Sequence, residues 1–461
     1  MSDPLYFILC GVCVALVLIG INMMSKVKKA VGGNLLSAAA TLFAMVLTVI
    51  RYGITSGAAL YVCLAAGTVA GILGASKAKM IAMPQTVAVL NGLGGAASAL
   101  VAGASAWDGA ATAFGGITGG IAIAVGALTF TGSFVAAGKL ARIIDSKPKK
   151  LPAHGFFTVL LTVLTVAAIL LGTFGAAGWN FAVAVLSLLA GVVFVMRVGG
   201  ADMPITISLL NSLSGVAGGI AGMAIGEPLL VAVGGIVGAS GLILTQDMCR
   251  AMNRSLGAIL TGKTTTAPGA PAPKAETPEK PAAEAPAGIT EADVAERLRT
   301  AKKVIIVPGY GMALSQAQAD VARLADALEK NGAEVKFGIH PVAGRMPGHM
   351  SVLLCEAEIP YDKLFMMEDI NPEFAACDIA IVVGANDVTN PAANTAEGTP
   401  IYGMPVLRVA DAPMKVVCNF DTKPGYAGVP NPMYTAPDVL LMLGDAKVSV
   451  GKLIGFVTAG K

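Results

Sequence analysis

Residues 304–313, Val-Ile-Ile-Val-Pro-Gly-Tyr-Gly-Met-Ala, join an apolar β-branched run to two glycines. Glycine lets a backbone come close to a ligand, and residues 313–328 read as a helix. A strand, a glycine turn and a helix N-terminus make the arrangement that holds a dinucleotide pyrophosphate, because N–H groups and the positive end of the helix dipole meet the phosphates. The spacing departs from the usual fingerprint at its sixth position, where Leu314 stands and the small Ala313 comes one residue early. On pattern alone, nucleotide binding and a plain strand–helix turn both stay open. The candidate binding residues here are Gly309, Tyr310, Gly311, Met312 and Ala313.

Further turns carry polar or flexible residues suited to the same ligand. Residues 340–349 supply Val342, Ala343, Gly344, Arg345, Met346, Pro347 and Gly348, with Arg345 as a phosphate clamp. Gly384, Ala385, Asn386 and Asp387 follow an Ile/Ala/Val run, which places Asp387 to hold a ribose or amide group. Residues 423–428 read as a mobile lid containing Lys423, Gly425 and Tyr426, the tyrosine able to cover a ring. Asp445 and Ala446 open a last helix. Each turn alone is ordinary turn chemistry; together, beyond one sheet edge, they make a site. No catalytic dyad, nucleophile elbow or metal cluster is present in the sequence, so neither a catalytic residue nor a metal site is assigned. That pattern fits hydride transfer, in which cofactors carry the chemistry and the protein positions them.

These turns need a parallel sheet. From Ile289 onward short apolar strands alternate with helices, predicting an α/β, Rossmann-like doubly wound fold with strands at 304–307, 335–339, 379–383, 405–409 and 416–418. Ligands of such sheets sit beyond the carboxyl ends of the strands. Residues 263–288, rich in Thr, Pro and Ala, read as a flexible tether. The expected division is 1–262, 263–288 and 289–461.

The N-terminal part has a different solvent. The chain of 461 residues is 55% hydrophobic and 13% charged, a membrane composition. Nine apolar segments, 5–24, 35–50, 54–75, 83–106, 111–138, 155–175, 179–197, 203–225 and 228–249, could each cross about 30 Å of hydrocarbon. The first reads as a retained span rather than a cleaved signal. Alternate loops hold Lys26/Lys28/Lys29, Lys77/Lys79, the 139–150 basic run, Arg197 and Arg250/Arg254/Lys263, whereas the intervening loops hold Arg51, Asp108 and Glu227. The positive-inside rule then places the N-terminus outside and everything after the ninth span in the cytoplasm. Up to Lys263 the chain has 15 Lys/Arg against 6 Asp/Glu, so its basicity belongs to membrane-flanking loops and does not suggest nucleic-acid binding. The seven cysteines show neither metal spacing nor a disulfide framework.

A repeat runs through this half. Met83-Pro84-Gln85-Thr86 through Asn91 returns as Met203-Pro204-Ile205-Thr206 through Asn211. Polar side chains at membrane depth face a bundle interior or a wet path, or act as helix–helix glue. The matched positions of Asn91 and Asn211 suggest a shared polar axis. Asp202 precedes the second copy, either as a helix N-cap or as a titrating group at the cytoplasmic mouth of a proton path.

Taken together, Pro-Gly-Tyr-Gly-Met-Ala (308–313), Gly-Ile-His-Pro-Val-Ala-Gly-Arg-Met-Pro-Gly-His-Met (338–350), Gly-Ala-Asn-Asp (384–387), Asn-Pro-Ala-Ala (390–393), Gly-Tyr-Ala-Gly (425–428), Gly-Asp-Ala-Lys (444–447), Gly-Gly-Ala-Asp-Met-Pro (199–204) and Ala-Met-Asn-Arg-Ser (251–255) resemble the beta subunits of proton-translocating NAD(P) transhydrogenases. The resemblance covers nearly the whole chain. It implies NADP(H) in the C-terminal domain under a lid, a proton-conducting membrane domain in the bacterial inner membrane, and an alpha subunit carrying NAD(H), in a dimer of heteromers. Direct hydride transfer from NADH to NADP+ would be coupled to inward proton movement. Two positions depart from the family pattern: Asn91 stands where many relatives have histidine, and Asn419-Phe420-Asp421 stands where the lid often begins Lys-Arg-Ser. The second departure leaves Lys423 or Arg345 for the 2′-phosphate and keeps the strength of NADP over NAD preference open, since an acid near the ribose favours NAD. The alternative is a nucleotide-gated transporter or channel without redox chemistry.

Overall fold

A computed structural model describes the chain except residues 1, 25–26, 55–56, 79–81, 108–111, 142, 146–148, 150–151, 177, 200–201, 253–254, 262–288, 345–347, 400, 426 and 460–461. The expected tether therefore lies outside the described residues. Among those described, nine helices are long and apolar enough to cross a membrane. They are α1 (Asp3–Met24), α2 (Val27–Tyr52), α3 (Ala58–Lys77), α4 (Met83–Trp107), α5 (Ala113–Leu140), α6 (His154–Phe174), α7 (Trp179–Met196), α8 (Met203–Ile225) and α9 (Pro228–Ala251). The second span, expected over 35–50, is 26 residues long, so it has length to spare for the bilayer core.

Close packing of small residues joins these helices, as the absence of a hydrophobic drive in lipid requires. A methyl added to Gly95 of α4 would lie 2.8 Å from the Gly126 carbonyl of α5, and one added to Gly126 would lie 2.5 Å from the Gly95 carbonyl. Helix α5 packs against α4, α6 and α7, and Thr131 of α5 donates to the Leu188 carbonyl at 2.8 Å. Buried Lys139 caps α7, donating to the carbonyls of Val195 and Met196 at 3.0 and 2.8 Å. Cations favour that end of a helix. By contrast, α3 has no buried residue within this chain.

By backbone contacts the chain forms two compact units. One comprises residues 1–145, 150–196 and 207–243; the other comprises 146–149, 197–206 and 244–461. The second contains α10 (Leu256–Thr261), α11 (Glu291–Thr300) and a six-stranded sheet. Thr290 opens α11 with a capping box closed by Asp293.

The strands are β1 (Lys303–Pro308), β2 (Glu334–Ile339), β3 (Leu364–Met366), β4 (Ile379–Val383), β5 (Lys415–Asn419) and β6 (Val439–Leu443). All pair in parallel, in the order β3-β2-β1-β4-β5-β6. Strand order therefore reverses between β1 and β4, the point where doubly wound sheets bind ligands. The connecting helices are α12 (Tyr310–Leu314), α13 (Gln318–Lys330), α14 (His349–Glu356), α15 (Met367–Ile370), α16 (Ala392–Thr395) and α17 (Ala446–Thr458). Ile305, Val307, Phe374, Val382 and Val417 pack in one core cluster.

Four details differ from the sequence reading, two of them the strands β3 and β6, which are not among those expected. The helix expected over 313–328 is two pieces, α12 and α13, separated at Gln316, whose φ is +52°. The strand expected over 405–409 does not form. Asn371 instead donates to the Val406 carbonyl at 3.1 Å and accepts from Arg408 N–H at 3.0 Å, so a side chain satisfies that backbone.

Candidate functional site

Each turn singled out in the sheet domain starts just beyond a strand: Gly309 after β1, His340 after β2, Gly384 after β4, Phe420 after β5 and Gly444 after β6. The parallel sheet thus brings them to one edge. At its centre the turns after β1 and β4 cross in contact. Gly309 N–H donates to the Val383 carbonyl, and Gly311 N–H to the Gly384 carbonyl, both at 2.8 Å. A methyl on Gly309 would lie 2.3 Å from the Gly384 carbonyl oxygen. One on Gly384, whose φ is +69°, would lie 2.3 Å from Met312 N. The glycines are thus required first by the crossing itself. Met312 and Ala313 are buried beneath it, and α12 packs against α14 and α17.

The loop after β5 lies strapped across the turn after β4. Asn386 donates to the Lys423 carbonyl at 3.0 Å. Asp387 accepts Ala427 N–H at 2.9 Å. Asn390 donates to the carbonyls of Val429 and Pro430 at 3.4 and 3.2 Å, and Asn431 donates to Oδ1 of Asn386 at 3.3 Å. Gly425 passes so close to Asp387 that a Cβ there would sit 2.5 Å from Oδ1. The segment expected to be a lid is thus fastened by side chains of 386–390 and 431. Asn390 and Asn431 were not among the sequence candidates, and their signal is two polar side chains in Pro-rich loops beside an apolar strand.

The base of this loop is anchored by Asn419, which donates to the Ala385 carbonyl at 3.2 Å and to the Tyr434 hydroxyl at 2.5 Å. Burial pushes the Tyr434 phenol up to about 12, against the pull of its asparagine partners. Asp421 accepts Lys423 N–H at 3.1 Å and pairs with its ammonium at 3.5 Å. The Lys423 charge is therefore shared with a carboxylate two residues away. Phe420 is exposed.

Behind the turn after β2, His340 is buried. Its Nε2–H donates to the Pro405 carbonyl at 2.9 Å, and its Nδ1 accepts Val342 N–H at 3.3 Å. Burial lowers the imidazole to about 4, opposing the Pro405 bond, so the ring stays neutral. Ala343 N–H returns to the His340 carbonyl at 3.1 Å. Gly344, at φ +102°, lies against His349, where a Cβ would be 2.5 Å from Nδ1. Gly348 takes a positive φ at the start of α14. The Tyr310 and His349 ring centroids are 6.3 Å apart. Asp445 caps α17, accepting Lys447 N–H at 2.8 Å, and Ala446 is buried behind it. Arg345, Met346, Pro347 and Tyr426 lie outside the described residues.

A cavity of about 510 Å³ is lined by Met367, Asn371, Thr389, Asn394, Pro405 and Arg408, among others. It borders the turn after β4 and does not include Gly309–Ala313. The close crossing of the glycines, not cavity size, marks the phosphate-binding candidate. Among the described residues no His/Cys/Asp/Glu group could hold a metal ion.

In the membrane half the two matched asparagines part company. Asn91 is buried and donates to Ser133 of α5 at 2.9 Å, while Asn211 is exposed on this chain. Of the shared polar axis expected from the repeat, one asparagine is buried within this chain and the other lies on its surface. Asp202 is 3% exposed, and its carbonyl accepts both the N–H and the hydroxyl of Thr206 at 3.1 Å.

The family profile described as NAD(P) transhydrogenase beta subunit matches residues 7–455. The NAD(P) transhydrogenase subunit beta of Rhodospirillum rubrum is 39% identical over 458 residues, 97% of this chain and 97% of that relative. The protein of the same name from a designated strain of that organism gives the same figures.

Proposed function

Because this chain belongs to the NAD(P) transhydrogenase beta subunit family, we propose that its sheet domain holds NADP(H) and that an alpha subunit presents NAD(H). Hydride then passes from NADH to NADP+, coupled to inward proton movement. The chain is a multi-pass membrane component of an oxidoreductase complex. Family membership sets aside the nucleotide-gated channel without redox chemistry. The division into a membrane domain (1–262), a tether (263–288) and a nucleotide domain (289–461) belongs to this reading. So do a bacterial inner-membrane location, a cytoplasmic nucleotide domain and a dimer of heteromers.

The nucleotide, when bound, supplies the hydride chemistry. The chain's residues fit the tasks of holding and shielding it. The crossing of Gly309 and Gly311 with Gly384 supports the reading most strongly, because it leaves no Cβ between two backbone turns at the sheet's switch point. Tyr310, Val342–Gly348, Asn386, Asp387, Lys423, Tyr426 and Asp445 complete the proposed site. The strap over 384–390 shuts out water and must be released for nucleotide exchange. Each of its hydrogen bonds contributes about 0.5–1.5 kcal/mol, so several together make exchange slow without making it impossible.

On the membrane side, Asp202 and the Asn91–Ser133 pair are buried polar groups suited to a proton path. Asn211 joins them where a partner span covers it.

Membranes holding this chain with an alpha subunit should transfer hydride from NADH to an NADP+ analogue, and a complex inert in that assay overturns the reading. Asp202→Asn should slow proton-coupled transfer with folding intact. Wild-type rates in that variant would assign Asp202 to capping α8 instead.

A further inference from the structure

A second polar assembly lies far from the nucleotide turns in sequence. Glu227 occupies the short turn between α8 and α9 and is 7% exposed. Tyr6 of α1, 221 residues away and 2% exposed, donates its hydroxyl to Oε1 of Glu227. Tyr52, the last residue of α2, donates to Oε2 at 2.7 Å. Leu229 N–H reaches Oε1 at 3.4 Å. Three donors thus converge on one carboxyl group from three helices, an arrangement that suits its charged form.

The surrounding charges are few. Arg51 of α2 pairs with Asp3 of α1 at 2.6 Å and stands 5.1 Å from the Tyr6 ring centroid. Cys10 and Cys13 of α1 are the other titratable groups packed there, in an apolar cluster with Leu47 and Leu229. Tyr52 is half exposed and forms the open side of the clasp.

Chain order gives the clasp a place in the membrane. The start of α1, the end of α2 and the α8–α9 turn must share one face if each helix spans once, and loop charge makes that face the outer one. Asp202 precedes α8 and Glu227 follows it, so the two carboxylates bracket a single span.

We propose that Glu227 is the outer-face proton-loading group of the membrane domain, gated by Tyr6 and Tyr52. The proposal rests on the proton-translocating reading above. Glu227 takes one proton from water on the outer side, and the carboxylate becomes a neutral acid. The oxygen that now bears hydrogen becomes a donor and a much weaker acceptor, so the phenol on it loses its charge-assisted bond and the hold of α1 and α2 on the α8–α9 turn loosens. When the same proton moves inward the anion re-forms and both charge-assisted bonds return.

The test uses the full complex with its alpha subunit, reconstituted in phospholipid vesicles with the nucleotide domains outward. Hydride transfer to an NADP+ analogue is followed while luminal pH is varied. Glu227→Gln keeps one acceptor oxygen, as the neutral acid does, but cannot load or release a proton. It should lower luminal-pH-dependent transfer at least tenfold while leaving NADPH binding, read by nucleotide fluorescence, unchanged. Tyr52→Phe removes one donor that favours the anion, so the midpoint of the luminal-pH response should move to higher pH. If the glutamine variant does not assemble, the Tyr52→Phe midpoint decides alone, and an unmoved midpoint overturns the proposal. An active glutamine variant with the wild-type luminal-pH response also overturns it. A wild-type complex without hydride transfer overturns the transhydrogenase reading as well.

Discussion

The Asp387 carboxylate accepts the backbone N–H of Ala427 at 2.9 Å, fastening the loop after β5 onto the turn after β4. Asn386 and Asn390 hold the same loop on either side. Asp387→Ala removes one charged fastening. A hydrogen bond to a charged group contributes about 1.5–3 kcal/mol when buried; Asp387 is half-buried, so a loss of about 1 kcal/mol follows. Stopped-flow release of NADPH from the complex should be roughly fivefold faster. An unaltered release rate would show that the strap does not control exchange.

Gly384→Ala addresses the crossing of the two turns. The new methyl would lie 2.3 Å from Met312 N on a residue at φ +69°. The left-handed conformation alone costs about 1–2 kcal/mol, and the clash adds to it. Nucleotide titration should show binding weakened at least tenfold, and the thermal unfolding temperature should fall. Wild-type behaviour in both measurements would mean that the turns can separate freely.

His340 sets an acid limit on the turn after β2. Its imidazole is lowered from 6.5 to about 4 by burial, so the unfolded chain binds the proton more readily than the folded one. Stability from the neutral ring is fully present above pH 6.5 and is lost as pH falls toward 4. Protonating Nδ1 would also displace the Val342 N–H. Amide exchange over residues 338–344 should quicken across that interval, and His340→Gln should flatten the pH dependence. Equal pH dependence in the two proteins would count against the buried neutral ring.

The thiols offer a chemical check on the sheet. Burial pushes Cys377 up to about 11 and Cys418 up to about 12, while Cys355 is exposed. Thiolate is the reactive form. A water-soluble maleimide at neutral pH should label Cys355 in the native complex and reach Cys377 and Cys418 only after denaturation. Rapid native labelling of Cys418 would contradict its place in β5.

Local pattern made much of this legible. The runs 304–307, 335–339 and 379–383 are β-branched and bounded by glycine or polar turns, and each became a strand. The failures come from partners that a local window does not contain. Residues 405–409 have strand composition, yet Asn371 satisfies their backbone and the Pro405 carbonyl is held by His340. The three-residue β3 is too short to carry a period. Gln316 breaks the helix after β1 with no glycine or proline to signal it. The repeat singled out Asn91 and Asn211 alike, but burial of one and exposure of the other depends on which helices lie beside each. Nor could spacing foretell that Tyr6, Tyr52 and Glu227 would meet.

The interlocked glycines have a mechanical consequence. Gly309, Gly311 and Gly384 interlock with no room for even one methyl, so this joint has no slack. A push on the backbone beyond the first strand cannot be absorbed there and passes to the backbone beyond the fourth, where the fastening to Ala427 begins. Whatever presses on the one end of this rivet is felt at the other.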